Sequence, residues 1–179
     1  SQYPAYTSIV ASGANACVLH YVDNNRRIAD GDLILIDAGC ELDGYASDLT
    51  RTFAVGEVDD ECNKIHKIVQ EANAAGRAAG GPGVPCAIVD KATRDVIEAS
   101  GYGKYFTHRT GHGIGMEGHA DPYMRGDNMQ LLEPGMAYTV EPGIYLTDRN
   151  GVRVEDNVVI TESGAESLSD MPREIRVVG

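Results

Sequence analysis

Five side chains able to hold a metal ion are spread along this sequence: Asp37, Asp48, His112, Glu141 and Glu155. The aspartates fall in LILIDAGCELDGYASDLTRTF, the histidine in the glycine-rich turn HRTGHGIG, and the glutamates in TVEPG and VRVED. Carboxylates set into apolar strand patterns are costly to bury unless a cation balances them. One imidazole with four carboxylates suits a pair of divalent ions sharing one water, the equipment of a hydrolase. Each residue also has a plainer reading by itself. Asp37, closing the run Leu-Ile-Leu-Ile, fits a cap or a turn, and Asp48 can bond the local backbone. Glu141 before Pro142-Gly143 can simply introduce a turn. The spacing of His108, His112 and His119 is not that of H-E-x-x-H, and the glycines disfavour a helix, so each fits an ordinary polar contact. A phosphate loop is excluded by the missing lysine.

The elements that must position these residues are legible as periodicities. Strands are expected over residues 7–12, ended by Ser12-Gly13, and over 18–21, followed by a turn at Asp23-Asn24-Asn25. Leu33–Ala38 is a continuous aliphatic run, as in a strand buried on both faces. Gly44 marks a bend into a strand over 48–55, so Asp37 and Asp48 should lie on adjacent strands of one hairpin-like pair. Asp59 or Asp60 caps a helix running to about Ala79, with Ile65, Ile68, Val69 and Ala72 on one face. Gly80-Gly81-Pro82-Gly83 stops it. Pro85 opens a second helix over 86–100, with Ile88, Val89, Ala92, Val96 and Ile97 as its apolar stripe.

Residues 102–128 read as irregular and glycine-rich. Strands return at 137–141, 144–146 and 152–161, with a hairpin turn at Asp148-Arg149-Asn150-Gly151. Alternation sends Val152 and Val154 to one face and Arg153 and Glu155 to the other, and it pairs Thr139 with Glu141. A solvated face carrying a weak charge pair is the alternative for Arg153 and Glu155. Strands, two helices, then strands again make an α+β domain.

Composition bounds the function. At 179 residues with 42% hydrophobic and 23% charged side chains, the chain has the balance of one globular domain. A formal net charge of −12 argues against nucleic acid and anionic membrane as partners, and two divalent ions would cancel part of it. Cys17, Cys40, Cys62 and Cys86 are widely spaced, which suits reduced thiols in a cytoplasmic protein better than two disulfides. No apolar run approaches the roughly 20 residues of a membrane span, and no leader pattern is visible. An opening on Ser1-Gln2 rather than Met is expected of a fragment or a processed form.

In order along the chain, LILIDAG, SDLTRTF, THRTGHGIGMEGH, TVEPGIY and VRVEDNVVIT resemble the pita-bread metallopeptidases. Within that creatinase/aminopeptidase-like fold they look most like the proline-specific branch, aminopeptidase P and Xaa-Pro dipeptidase (prolidase). The resemblance runs from Tyr3 to about Val177. It implies a curved, mostly antiparallel sheet with helices on its outer face. It also implies two ions bridged by Asp48 and Glu155, with Asp37 on one and His112 and Glu141 on the other. The oxygen-rich donors favour Mn²⁺, with Co²⁺, Fe²⁺ or Zn²⁺ as alternatives. The implied reaction is hydrolysis of the Xaa-Pro bond at the N-terminus of a peptide or dipeptide.

Glu141 would then shuttle the proton, His119 would stabilise the oxyanion or assist that transfer, and His108 would line the proline pocket. His20 matches a family histidine near the substrate, and Arg153 would fix a substrate carboxylate or backbone. Methionine aminopeptidases resemble the chain less, because they usually lack counterparts of His108 and Arg153. The family's catalytic domain begins with helices ahead of Tyr3-Pro4-Ala5-Tyr6, usually after a separate N-terminal domain. Residues 1–179 therefore read as a partial catalytic domain. An uncovered sheet face calls for a homo-oligomer or an N-terminal fragment as partner. A half that binds metal or a partner without turnover is the rival reading.

Overall fold

The computed structural model describes residues 3–23 and 25–179. The turn expected at Asp23-Asn24-Asn25 includes Asn24 and lies outside the described residues. Strand β1 is Tyr3–Pro4 and β2 is Ile9–Ser12. The aliphatic run Leu33–Ala38 is β3, with Leu33 and Leu35 almost fully buried. Two short strands follow, β4 (Cys40–Leu42) and β5 (Tyr45–Ala46), then β6 (Leu49–Val55). The β4–β5 hairpin turns through Asp43 and Gly44 at φ 52° and 81°, so the Asp-Gly pair supplies the left-handed geometry that a tight hairpin needs. β3 and β6 pair antiparallel with Asp37 opposite Thr50 and Ala38 opposite Leu49. Asp37 and Asp48 thus stand at the same end of one strand pair, as expected.

The expected strand at 18–21 does not form. Gly13, at φ 54°, turns the chain out of β2 into a 3-10 turn, Gly13–Cys17. That turn docks on the later hairpin instead of joining the sheet: Cys17 Sγ donates to the Leu146 carbonyl at 2.8 Å, and Ala16 lies against Gly151. Val18 and Val22 are left exposed.

Helix α1 (Asp60–Ala79) starts where Asp59 accepts from the Cys62 amide at 2.7 Å, a side-chain N-cap. Its stripe of Ile65, Ile68, Val69 and Ala72 is buried against Leu33, Ile144, Leu146, Val152 and Val154. Helix α2 (Cys86–Ala99) has Pro85 as its cap residue. Its buried stripe is Cys86, Val89, Thr93 and Ile97, whereas Ile88 is 45% exposed and Ala92 half-buried. The helix is rotated from the expected face because Asp90 is drawn inward, accepting from the Thr110 amide and hydroxyl at 3.1 and 2.8 Å and from Arg94.

The stretch expected to be irregular holds two strands, β7 (Gly111–Gly113) and β8 (Ala120–Met124). Here the glycines are what permits pairing: a Cβ on Gly111 would stand 1.8 Å from the Thr139 carbonyl oxygen. The chain continues as β9 (Ala137–Val140), β10 (Gly143–Leu146), β11 (Asn150–Arg153), β12 (Asp156–Thr161), β13 (Gly164–Ser167) and β14 (Arg176–Val178). Leu146 pairs with Asn150, so the β10–β11 turn is Thr147-Asp148-Arg149, one step earlier than expected. The single strand expected at 152–161 is broken at Val154-Glu155, where the Glu155 amide leaves the hairpin and donates to the Thr50 carbonyl at 3.1 Å.

The sheets run β14-β6-β3-β2 and β13-β12-β9-β7-β8, with the β10–β11 hairpin between the helices and the first of them. β14 lies parallel to β6, and the other described ladders are antiparallel. All four cysteines are free thiols. Among the described residues no helix is long and apolar enough to cross a membrane.

Candidate metal centre

Antiparallel pairing brings the ends of β3, β6, β9 and β11 and the middle of β7 to one cavity of about 540 Å³. All nine residues singled out in the sequence line it: Asp37, Asp48, His112, Glu141 and Glu155, with His20, His108, His119 and Arg153. Asp48, His112 and Glu155 each offer a ligand atom, and these atoms lie within 4.8 Å of one another. All three residues are buried.

His112 is not in a turn, as its glycines suggested, but in the middle of β7, 1% exposed. Its Nδ1 lies 3.1 Å from the Gly113 carbonyl, which assigns the proton to Nδ1 and leaves Nε2 bare. Nε2 points at carboxylates, 3.7 Å from Asp48 Oδ2 and 3.5 Å from Glu141 Oε1. Burial above all holds the imidazole down to about 4, so it is neutral near pH 7, as a ligand must be. His119 stacks on it, ring centroids 3.7 Å apart.

The carboxylates are crowded. Tyr6 turns its one hydroxyl proton towards both Asp37 (2.5 Å) and Asp48. A single phenol proton shared between two carboxylates leaves that pair short of positive charge. Burial, followed by the neighbouring acids, raises Asp48 to about 6 and Glu141 to about 8, and drives Glu155 well above the carboxylate range. The cation buried among them is Arg153, donating to Asp37 Oδ2 (2.5 Å), Thr50 Oγ1 (3.2 Å) and the Tyr145 hydroxyl (3.2 Å). One guanidinium against four carboxylates, beside a bare imidazole nitrogen, is a donor set that fits divalent cations.

Some of the supporting residues escaped the sequence reading. Thr50 accepts from Arg153 and donates to Glu155 Oε2 at 2.6 Å, and strand alternation from Asp48 could have found it. Tyr6 and Tyr145, whose hydroxyl also meets His108 Nε2 at 2.9 Å, carried no local signal. Nor did Asp156, fully buried and bonded by Arg51 and Arg173 at 2.7 Å each, with Arg77 at 3.5 Å. Arg51 also donates to the Glu155 carbonyl at 2.6 Å, fixing the backbone beneath that carboxylate.

Comparison with known proteins agrees with this architecture. The sequence model of the family described as "Metallopeptidase family M24" matches residues 1–162. The uncharacterized peptidase YqhT of Bacillus subtilis is 44% identical over 174 residues, 97% of this chain and 49% of that protein. The Xaa-Pro dipeptidase of Pyrococcus furiosus is 41% identical over 175 residues, 98% and 50% of the two chains. The crystal structure of a prolidase from Thermococcus sibiricus superposes with a TM-score of 0.97 at 39% identity, covering 99% of this chain and 48% of that one. The chain spans about half the length of the relatives it matches.

Proposed function

Because this chain belongs to metallopeptidase family M24, beside Xaa-Pro dipeptidases and prolidases whose pita-bread fold it has, we propose that its cavity hydrolyses the bond before proline in peptides. The observation that carries the reading is the convergence of Asp37, Asp48, His112, Glu141 and Glu155 on one cavity, with Arg153 as the cation buried among them. In this reading residues 1–179 are a partial catalytic domain. Asp48 and Glu155 would bridge two ions, Asp37 would hold one, and His112 with Glu141 the other. When bound, the ions would lower the pKa of a shared water and polarise the scissile carbonyl. Mn²⁺ suits this oxygen-rich set best, with Co²⁺, Fe²⁺ and Zn²⁺ behind it.

The chain's own groups do the rest. Glu141 takes a proton from the attacking water at its carboxylate and delivers it to the proline nitrogen as the C–N bond breaks. His119, exposed at the cavity and stacked on His112, donates to the developing oxyanion. His108 borders the proline ring, held by Tyr145 and packed edge-on against Phe106, and His20 lies at the cavity wall. Arg153 has three of its five N–H bonds engaged inside the chain, leaving two for a substrate carbonyl or carboxylate.

Hydrolysis of Xaa-Pro and Xaa-Pro-Xaa peptides with added Mn²⁺, alongside metal analysis of the purified chain, tests the reading. Absence of turnover together with absence of bound metal would overturn it. Asp48→Ala should abolish activity, and a rate within a few-fold of the parent would remove the ligand assignment. A second reading is a chain that takes up metal or a partner without turnover. Metal uptake with no hydrolysis of either substrate selects it. Cleavage of a Met-Ala peptide but not of Xaa-Pro would select the methionine aminopeptidase alternative. The exposed Val10, Val18, Val22 and Ile28 support a covering chain, a second copy or an N-terminal fragment, which sizing and intact mass distinguish. Free thiols support a cytoplasmic setting.

A further inference from the structure

Two arginines line the cavity, and their circumstances are opposite. Arg153 is 3% exposed and bonded to Asp37, Thr50 and Tyr145. Arg109 is exposed and, among the described residues, has no ion pair or side-chain hydrogen bond. It lies over the ring of Tyr123, with Cζ 4.6 Å from the centroid. In a chain of net charge −12, most arginines find carboxylates: Arg26, Arg51, Arg94, Arg125, Arg149 and Arg173 all do. A cation left unpaired at the mouth of an acidic cavity is available to something outside the chain.

Its placement says what. Its place over the Tyr123 ring holds the guanidinium there and leaves its N–H groups free for bonds to a carboxylate. Its charge reaches the site as well: burial is the main reason that His108, His112 and His119 lie below the ordinary imidazole range, and Arg109 adds to it in all three. His108 is its neighbour in the chain, with Nδ1 2.7 Å from the Arg109 carbonyl oxygen, which holds the imidazole against the Arg109 backbone. Both residues line the one cavity, so a proline ring against His108 has the Arg109 cation in the same cavity for a carboxylate one bond beyond it.

We propose that Arg109 is a specificity residue of this cavity, binding a carboxylate that the substrate carries on the far side of its proline. This rests on the peptidase reading for what enters the cavity. Two sources share the chemistry, the free C-terminus of an Xaa-Pro dipeptide and an acidic side chain on a third residue.

Calorimetric titration of the metal-loaded chain with L-proline and with L-prolinamide reads the inference without turnover. The parent should prefer the acid by about tenfold, the value of one charge-assisted pair at an exposed site, and Arg109→Gln should lose that preference. Rate ratios then assign the source. A loss confined to Ala-Pro over Ala-Pro-amide points to the terminal carboxylate, and one confined to Ala-Pro-Asp-amide over Ala-Pro-Ala-amide to a third acidic residue. The inference is overturned when neither the affinities nor either rate ratio favours the carboxylate, or when the preference survives in Arg109→Gln. Turnover without an Arg109-dependent preference leaves the peptidase reading standing. A preference in a chain that cleaves no peptide does the reverse.

Discussion

Thr50 is a small neutral group in the acid cluster, and it touches both poles, accepting from Arg153 and donating to Glu155. Thr50→Val keeps the shape and removes both bonds, leaving a buried guanidinium and a buried carboxylate each short of a partner. Urea unfolding should show a loss of about 2 kcal/mol, and metal titration a weaker midpoint. An unchanged midpoint in both would mean that Glu155 is held by its backbone alone. At this scale the sequence was informative about chemistry and silent about support. Asp37, Asp48, Glu141 and Glu155 stood out because acids interrupt apolar strand patterns. Tyr6 and Tyr145 did not, because a tyrosine in such a pattern looks like ordinary packing. Arg51 and Asp156 pair across more than a hundred residues, a separation no local pattern encodes.

The strand that carries His112 teaches a different lesson. Its glycines were read as a turn, since glycine weakens strands and helices alike. In the fold they allow β7 to approach β9 more closely than any side chain would permit. Gly111→Ala would place a methyl 1.8 Å from the Thr139 carbonyl oxygen, so β7 must shift and take His112 with it. We expect a stability loss of about 2 kcal/mol or more together with loss of metal binding. Gly115→Ala, whose methyl would meet nothing within 4 Å, should stay within about 0.5 kcal/mol of the parent. Comparable unfolding midpoints for the two variants would refute the close-approach account. The long elements, β3, β6, α1 and α2, were legible because their periodicity is sustained. The segment at 18–21 was misread because Gly13 redirects the chain before its apolar residues can pair.

For the molecule as a whole, pH tests the core beneath the site. His66 in α1 is 2% exposed, with Nε2 lacking a hydrogen-bond partner among the described residues. Burial, helped by Arg51, lowers it to about 4 from the 6.5 of a free imidazole. Folded chains keep it neutral where unfolded chains protonate it, so the unfolded state binds the extra proton below about pH 6.5. Its contribution is therefore complete above that pH, falls as pH drops towards 4, and is constant below. Over that window the loss is on the order of 3 kcal/mol. His66→Leu should flatten the pH dependence of urea midpoints by about that amount, and an equally steep curve would show that His66 is hydrated in the native state.

The bond from Thr50 to Glu155 spans 105 positions of sequence, and Arg51 reaches from β6 to Asp156, Met171 and Pro172. During synthesis the ribosome releases Asp37 and Asp48 when neither the imidazole nor either glutamate yet exists. Two bare aspartates make a weak and unselective trap, so the proposed site would take up ions only late in folding, after β11 and β12 have reached β6. Contacts this distant in sequence form slowly. Under the proposed ligand set, the donors are assembled only when the segment carrying Glu141 and Glu155 has closed over β3 and β6.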